Sequence, residues 1–110
     1  MILHQRDIVE TEFFFARSIK VPHFAIVVSN NELIENEGIV YLVLITSKDY
    51  NNEYCYALTN EMTTFTFSKQ SFVKCHIIVS DLQSNVFRRV GQMKQPYFNE
   101  MVDKIISSIF

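Results

Sequence analysis

The sequence predicts a mainly β protein, a small and strongly bent antiparallel sheet or barrel that is closed by a C-terminal helix. Two short apolar runs, residues 23–29 and 39–46, are rich in Val and Ile and predict buried central strands. The final segment differs, because apolar residues recur there at helical spacing after Pro96. Several short strands followed by one terminal helix are typical of a small barrel or half-barrel.

The other strands are predicted from shorter signals. A first strand is expected near residues 8–13, and Pro22 closes the loop after it because proline disfavours helix in the preceding residue. The acidic stretch 30–38 is expected to connect the two apolar runs, with room for a helical turn. Further strands are predicted at residues 54–58, 63–67, 71–79 and 86–93.

Two of these segments have distinctive patterns. Thr and Phe alternate over residues 63–67, which predicts a strand with one exposed face. In the last segment, Pro96 suits the first turn of a helix that runs to Phe110. Its predicted apolar face consists of Phe98, Val102, Ile105, Ile106 and Ile109.

Length and composition predict one globular domain over residues 1–110. The net charge of −2 argues against a tight duplex-DNA binder, although it allows a local basic groove. The longest apolar run, residues 39–45, is far shorter than the roughly 20 residues that a membrane helix needs. No signal peptide is evident, so a cytoplasmic protein is expected.

The sequence predicts no metal or other cofactor. The two cysteines, Cys55 and Cys75, lack metal-ligand spacing and are expected to be free, buried thiols. His4 and His76 lie far from His23 in the sequence, and the three histidines make no metal pattern.

Polar residues follow both apolar runs. The first run ends in Ser29, Asn30 and Asn31, and the second ends in Thr46 and Ser47. Because strand ends carry side chains out of the core, two neighbouring strands that end in hydroxyl and amide groups predict a surface site.

The order of these segments resembles the PemK/MazF family of toxin endoribonucleases. The residues that carry the resemblance are Asp7-Ile8-Val9, the strand from Ala25 to Asn30, the strand end from Leu44 to Ser47, and a closing half comprising 71–77, 90–93 and the terminal helix. The resemblance covers nearly the whole chain and rests on order and spacing. It implies an SH3-like barrel of the PemK/MazF and CcdB type.

The resemblance also implies an activity, which is metal-independent cleavage of single-stranded RNA through the ribose 2′-OH. The family usually places Arg-Pro before the second strand, whereas His23 and Phe24 stand there in this chain. Counting from Pro22 instead puts Val21 at that position, and the usual Arg is missing in either register. His23 is therefore the candidate for proton transfer.

Thr46 is the candidate donor to a phosphate oxygen, with Ser47 as its substitute. Each candidate has a structural alternative. His23 could be a half-buried residue at a strand start, and the Thr46 hydroxyl could bond nearby backbone.

The resemblance implies a homodimer and a protein antitoxin as partners. Phe14, Phe15, Arg17 and Lys20 lie in the loop after the first strand and are candidates for RNA binding, by base stacking and phosphate contact. The same residues offer apolar and basic contacts to a disordered acidic antitoxin segment. The alternative is that these Phe side chains fill the core and a dimer surface.

A different class of function stays open, which is a non-catalytic binding protein on the same fold. It could be related to the gyrase-poisoning CcdB toxins, or it could be a PemK/MazF relative that lost catalysis with its Arg. The chain contains no Trp, whereas CcdB-like toxins depend on a C-terminal Trp, so that resemblance is weak. A barrel with only a structural role is a third alternative.

Overall fold

One antiparallel sheet of six strands forms the body of the protein. The computed structural model describes residues 1–14, 20–48 and 53–110, and of residues 13, 14, 20 and 21 it describes the backbone alone. Along the chain the elements are β1 (Asp7–Phe14), β2 (Lys20–Val27), α1 (Asn31–Glu37), β3 (Ile39–Thr46), β4 (Cys55–Leu58), β5 (Ser71–Leu82), β6 (Arg88–Gln92) and α2 (Gln95–Ile109). The strand order is β4-β5-β3-β2-β1-β6. The predicted fold class, a bent antiparallel sheet with a C-terminal helix, is confirmed.

The sheet divides at its centre. Strands β2 and β3 pair over only three residue pairs, from Ala25–Leu44 to Val27–Leu42. Before Ala25, residues 20–24 of β2 are paired with β1 alone. After Leu44, residues 45 and 46 of β3 are paired with β5 alone. A bulge in the β3–β5 pairing bends this second arm further. The two arms therefore separate and leave a wedge between them.

Each face of the sheet carries an apolar core. Ile8 and Ile26 belong to the cluster that α2 covers, whereas the neighbouring residues Val9 and Ala25 belong to a second cluster. This alternation is what a strand that is buried on both faces requires. Helix α1 covers the second cluster through Ile34, which is 2% exposed. Both apolar runs read from the sequence thus form central strands.

Helix α1 makes up most of the connection between β2 and β3. The Asn30 side chain accepts a hydrogen bond from the backbone N–H of Leu33 at 2.8 Å and caps the helix. Gly38 ends it with φ of 66°, a left-handed conformation that glycine adopts at little cost. The predicted helical turn in this connection is present as a helix of seven residues.

Residues 63–67 do not form the predicted strand. Thr63 makes an isolated bridge to Met93, residues 64 and 65 form a bend, and residues 66 and 67 have no regular secondary structure. The alternation of Thr and Phe has another cause, since Phe65 and Phe67 both pack on the core cluster of α2 while Thr66 is exposed. Strand β2 also begins earlier than predicted, at Lys20. It includes Pro22, whose missing N–H is tolerated there because this part of β2 is paired on one side only.

The core face of α2 differs from the predicted face at Met101, Ile106 and Ile109. Phe98, Met101 and Ile105 are its buried residues. Ile106 and Ile109, which were predicted to be buried, are 51% and 40% exposed. The stripe through Phe98, Met101 and Ile105 follows the helical repeat of 3.6 residues, and the two exposed isoleucines lie beside it.

Both cysteines are free, as predicted, but only Cys75 is buried, and Cys55 is half-buried. Burial raises the pKa of the Cys75 thiol to about 11, so it is an unreactive thiol at neutral pH. Among the described residues, no helix has the length and apolar character needed to cross a membrane.

Met101→Ala is expected to destabilise the fold by about 2–5 kcal/mol, because it leaves a cavity where α2 meets the sheet. Met101 is fully buried in the cluster that contains Ile26 and Val73. The free energy of unfolding, measured by urea denaturation, tests this. Ile106→Ala on the same helix is the matched control and should stay within about 0.5 kcal/mol. Equal losses in the two variants would show that α2 is packed on a different face.

Candidate active site

A cleft of about 760 Å³ opens in the wedge between the two arms of the sheet. Residues 22–24 of β2 line one side, and residues 44–48, at the end of β3, line the other. Ser71 and Lys74 of β5 extend the second side, and residues 65–69 form a further wall. The cleft thus exists because β2 and β3 pair only briefly.

The lining of the cleft is basic. Lys48, Lys69 and Lys74 border it, and its described lining residues include no Asp or Glu. The whole chain has a net charge of −2, so positive charge is concentrated here against the overall balance. A cleft that is lined by one sign of charge attracts ligands of the opposite sign, and here that means an anion.

His23 lies on β2, in the part of the strand that is paired only with β1. Its side chain is half-buried. Burial lowers the pKa of His23 below its ordinary value of 6.5, and the positive charge of Lys74 lowers the pKa further. The imidazole is therefore neutral at pH 7 and is able to accept a proton.

Thr46 ends β3, and its hydroxyl oxygen accepts a hydrogen bond from the backbone N–H of Lys48 at 3.1 Å. This is the backbone contact that the sequence allowed as an alternative. Because the Thr46 oxygen is the acceptor in this contact, the hydroxyl hydrogen is still able to donate to a second group. The contact holds the hydroxyl in place at the rim of the cleft. Ser47, next in the chain, is exposed and lines the same cleft.

Three phenylalanines form an aromatic cluster in the cleft: Phe24 from β2, and Phe65 and Phe67 from the 65–69 wall. The centroid of the Phe24 ring lies 5.2 Å from the centroid of the Phe65 ring and 5.5 Å from that of the Phe67 ring. Phe65 and Phe67 meet edge to face at 4.9 Å. All three side chains are half-buried, so part of their ring surface stays exposed.

Strand β6 holds the wall that carries two of these rings. The Thr64 backbone N–H donates to the Gln92 carbonyl at 2.9 Å, and the Thr64 hydroxyl accepts from the Gln92 N–H at 2.8 Å. Gly91 allows this close approach, because a Cβ there would lie 2.8 Å from the Thr64 hydroxyl and 2.9 Å from the Phe65 Cβ. The Phe65 and Phe67 rings are therefore carried on a segment that is fixed to the sheet.

The three residues proposed for catalysis from the sequence, His23, Thr46 and Ser47, all line this cleft. Phe14 and Lys20, proposed for RNA binding, are paired with each other at the end of the β1–β2 hairpin. The hairpin end lies three residues beyond His23 on β2, or roughly 10 Å along the strand. Phe15 and Arg17 lie outside the residues that the structure describes.

The prediction that the C-terminal ends of both apolar runs build one site is wrong. Strands β2 and β3 are antiparallel, so the end of β2 meets the beginning of β3. Ser29 there accepts a hydrogen bond from the backbone N–H of Tyr41 at 3.1 Å, and Asn31 accepts from the backbone N–H of Gln5 at 2.7 Å. These residues, like Asn30, have structural roles. The beginning of β2, near His23, meets the end of β3 instead.

The aromatic wall and the lysines were not among the residues predicted to form the site. Lys48, Lys69 and Lys74 are scattered in the sequence and carry no motif. The alternating Phe at 65 and 67 was a visible signal, but it was interpreted as a strand. His76 is exposed on β5 beside the Tyr54 ring and does not line the cleft. No group of three or more described His, Cys, Asp or Glu residues is placed to hold a metal ion.

The comparison with known families agrees with this architecture. A profile of the PemK-like, MazF-like toxins of type II toxin–antitoxin systems matches residues 4–109. The chain therefore belongs to the PemK/MazF toxin family, and the resemblance predicted from the sequence is confirmed. No curated protein matches the chain.

Solved structures of similar fold include proteins from Deinococcus radiodurans and from mycobacteria. The chain matches a MazE–MazF structure from Deinococcus radiodurans with a TM-score of 0.77 and 14% identity, covering 97% of this chain and 95% of that one. It matches an endoribonuclease from a mycobacterial species with a TM-score of 0.77 and 11% identity, covering 98% and 91%. A mycobacterial endoribonuclease in complex with its cognate antitoxin gives 0.75 and 12%, covering 96% and 93%. At such low identity these likenesses establish the fold.

Proposed function

We propose that this toxin is a metal-independent endoribonuclease that cleaves single-stranded RNA in the cleft between the two arms of the sheet. The observation that carries the proposal is the composition of the cleft. A histidine that is neutral at pH 7, a threonine hydroxyl and three lysines line it together, without an acidic residue among the described lining. This set suits a reaction at a phosphodiester.

In the proposed reaction, His23 accepts the proton of the ribose 2′-OH as the 2′-oxygen attacks the adjacent phosphorus. The bond from phosphorus to the 5′-oxygen breaks, and that oxygen takes up a proton from solvent, to which protonated His23 then returns its own. The products are a 2′,3′-cyclic phosphate and a 5′-hydroxyl. The Thr46 hydroxyl donates a hydrogen bond to a phosphate oxygen as negative charge develops on it.

Lys74 is proposed to supply the positive charge that an arginine usually supplies in this family. It lines the cleft and acts on His23 strongly enough to lower the pKa of that imidazole. Lys48 and Lys69 extend the positive lining of the cleft. The missing Arg is then replaced by a division of roles, in which His23 transfers the proton and Lys74 stabilises charge.

Incubation of the purified protein with a mixed-sequence RNA tests the proposal. We expect fragments that end in a 2′,3′-cyclic phosphate, formed at the same rate with and without EDTA. The all-2′-deoxy version of the same sequence should stay intact, because it lacks the attacking hydroxyl. Intact RNA after incubation with the folded protein would contradict the proposal, as would a requirement for a divalent cation.

The second candidate is a non-catalytic binding protein on the same fold. The observation in its favour is that the Arg of the family's Arg-Pro pair is absent here in either register. It predicts that the protein binds RNA or a protein partner in the cleft and leaves RNA uncut. The cleavage experiment separates the two candidates.

We further propose a cytoplasmic homodimer that a protein antitoxin inhibits. Exposed apolar side chains support an association surface, and they include Ile77, Ile78 and Leu82 on β5. Larger exposed apolar patches mark protein–protein interaction sites. A monomer mass in light scattering at micromolar concentration would contradict the dimer.

The end of the β1–β2 hairpin is proposed as one edge of the binding groove, with Phe14, Phe15, Arg17 and Lys20 as its contacts. Arg17→Glu combined with Lys20→Glu should weaken binding of both RNA and an acidic antitoxin segment, because it reverses two charges. Titration of the double variant against a short RNA and the antitoxin tests this. Unchanged affinity for both, with a native circular dichroism spectrum, would exclude this edge.

A further inference from the structure

We propose that Phe24, Phe65 and Phe67 form a stacking site for one unpaired base of the RNA, beside the residues that act on its phosphate. The inference rests on the proposed function, because its ligand is the same RNA. It adds a binding subsite formed by Phe24 of β2 and the 65–69 wall of the cleft. Bases of single-stranded RNA stack on aromatic side chains while cations contact the backbone.

The burial of the three rings supports a binding role. Phe98, in the same apolar cluster, is 3% exposed, as expected of a ring that only fills the core. Phe24, Phe65 and Phe67 pack on that cluster but stay half-buried, and their exposed surface faces the cleft that they line. A flat apolar ligand would cover this surface and gain the free energy of its burial.

The neighbours of the rings indicate the class of ligand. Lys69 follows Phe67 by two residues, and the cleft contains two further lysines. Thr66 and Ser68 alternate with the rings and are exposed, so their hydroxyls are able to bond the polar edge of a bound base. A flat apolar face, a polar edge and an attached anion occur together in a nucleotide.

The wall is already ordered before a ligand binds. Thr64 is bonded to Gln92 on both its backbone and its side chain, and Gly91 permits the contact. A fixed aromatic surface loses little conformational entropy on binding, which favours affinity. Gly91→Ala would push this wall away from β6 without removing any side chain from the cleft, so it tests the position of the rings.

The test is binding of a short, fluorescein-labelled 2′-O-methyl RNA, followed by fluorescence anisotropy. This oligonucleotide lacks the free 2′-OH, so binding is measured whether or not the protein cleaves RNA. Phe67→Leu should weaken binding about 5- to 150-fold, the range for loss of one base–aromatic stack. Phe67→Tyr keeps the ring and should bind like the parent. Phe87→Leu, at an exposed ring outside the described lining of the cleft, is the matched control.

A set of oligonucleotides, each with one base removed, identifies the stacked base. At one position, removal should weaken binding to the parent and have no effect on Phe67→Leu, because the same contact is already lost. Gly91→Ala should behave like Phe67→Leu if its thermal unfolding stays cooperative. The proposal is overturned if Phe65→Leu and Phe67→Leu both bind like the parent, or if no position shows this coupling. It is also overturned if only an acidic peptide, and not RNA, is sensitive to these changes.

Discussion

His23→Ala is expected to lower the rate of RNA cleavage by roughly a hundredfold or more, the usual effect of removing a general acid–base group. The imidazole lines the cleft beside Lys74, and no other histidine lies among the cleft's described lining residues. Initial rates on a defined RNA measure the effect. His76→Ala, which changes an exposed histidine outside that lining, is the matched control and should cleave like the parent. Equal rates for the two variants would exclude His23 as the base.

The pH dependence of kcat provides an independent test of His23 as the base. The neutral imidazole is the active form, so the rate should fall as the pH drops through the pKa of His23. Burial and Lys74 lower this pKa, so activity should persist below pH 6.5. Lys74→Met removes the second cause, and the acid limb should move to higher pH while burial still acts. An acid limb that is unchanged in His23→Ala, measured on its residual activity, would assign the titration to another group.

Thr46→Val should lower kcat by about 10²–10³, the cost of removing one hydrogen-bond donor from a developing oxyanion. Valine keeps the branched shape that suits the strand end and removes the hydroxyl. The bond from the Lys48 N–H is also lost, so cooperative unfolding of the variant must be checked. Thr46→Ser restores the hydroxyl and should recover most of the rate.

Ser47→Ala distinguishes between the two neighbouring hydroxyls. We expect a smaller loss than for Thr46→Val, because the Thr46 hydroxyl is held by backbone and Ser47 is exposed. If Ser47→Ala lost more activity than Thr46→Val, the donor would be Ser47. If both variants cleaved like the parent, neither hydroxyl would act in the reaction.

Local sequence determined the central strands and the terminal helix. The predicted strand at 39–46 has the bounds of β3, because its continuous Val, Leu and Ile residues suit a strand that is buried on both faces. Pro96 and the apolar repeat after it predicted α2. Periodicity was less informative for α2's core face, because Met101 and Ile106 are both apolar and only packing against the sheet selects between them. For residues 63–67 the alternation of Thr and Phe was insufficient to predict a strand. A segment without strand pairing shows the same alternation when every second side chain packs on the core.

The sequence also indicated part of the site. His23 and Thr46 became candidates through their positions at a predicted strand start and strand end, together with the family resemblance. The cleft itself depends on tertiary structure, because it exists where β2 and β3 stop pairing after three residue pairs. Tertiary structure also places Lys74 of β5 where its charge acts on His23, and Gly91 of β6 allows the close contact that positions Phe65. These contacts join residues far apart in the chain, and sheet order and register decide them where local sequence patterns cannot.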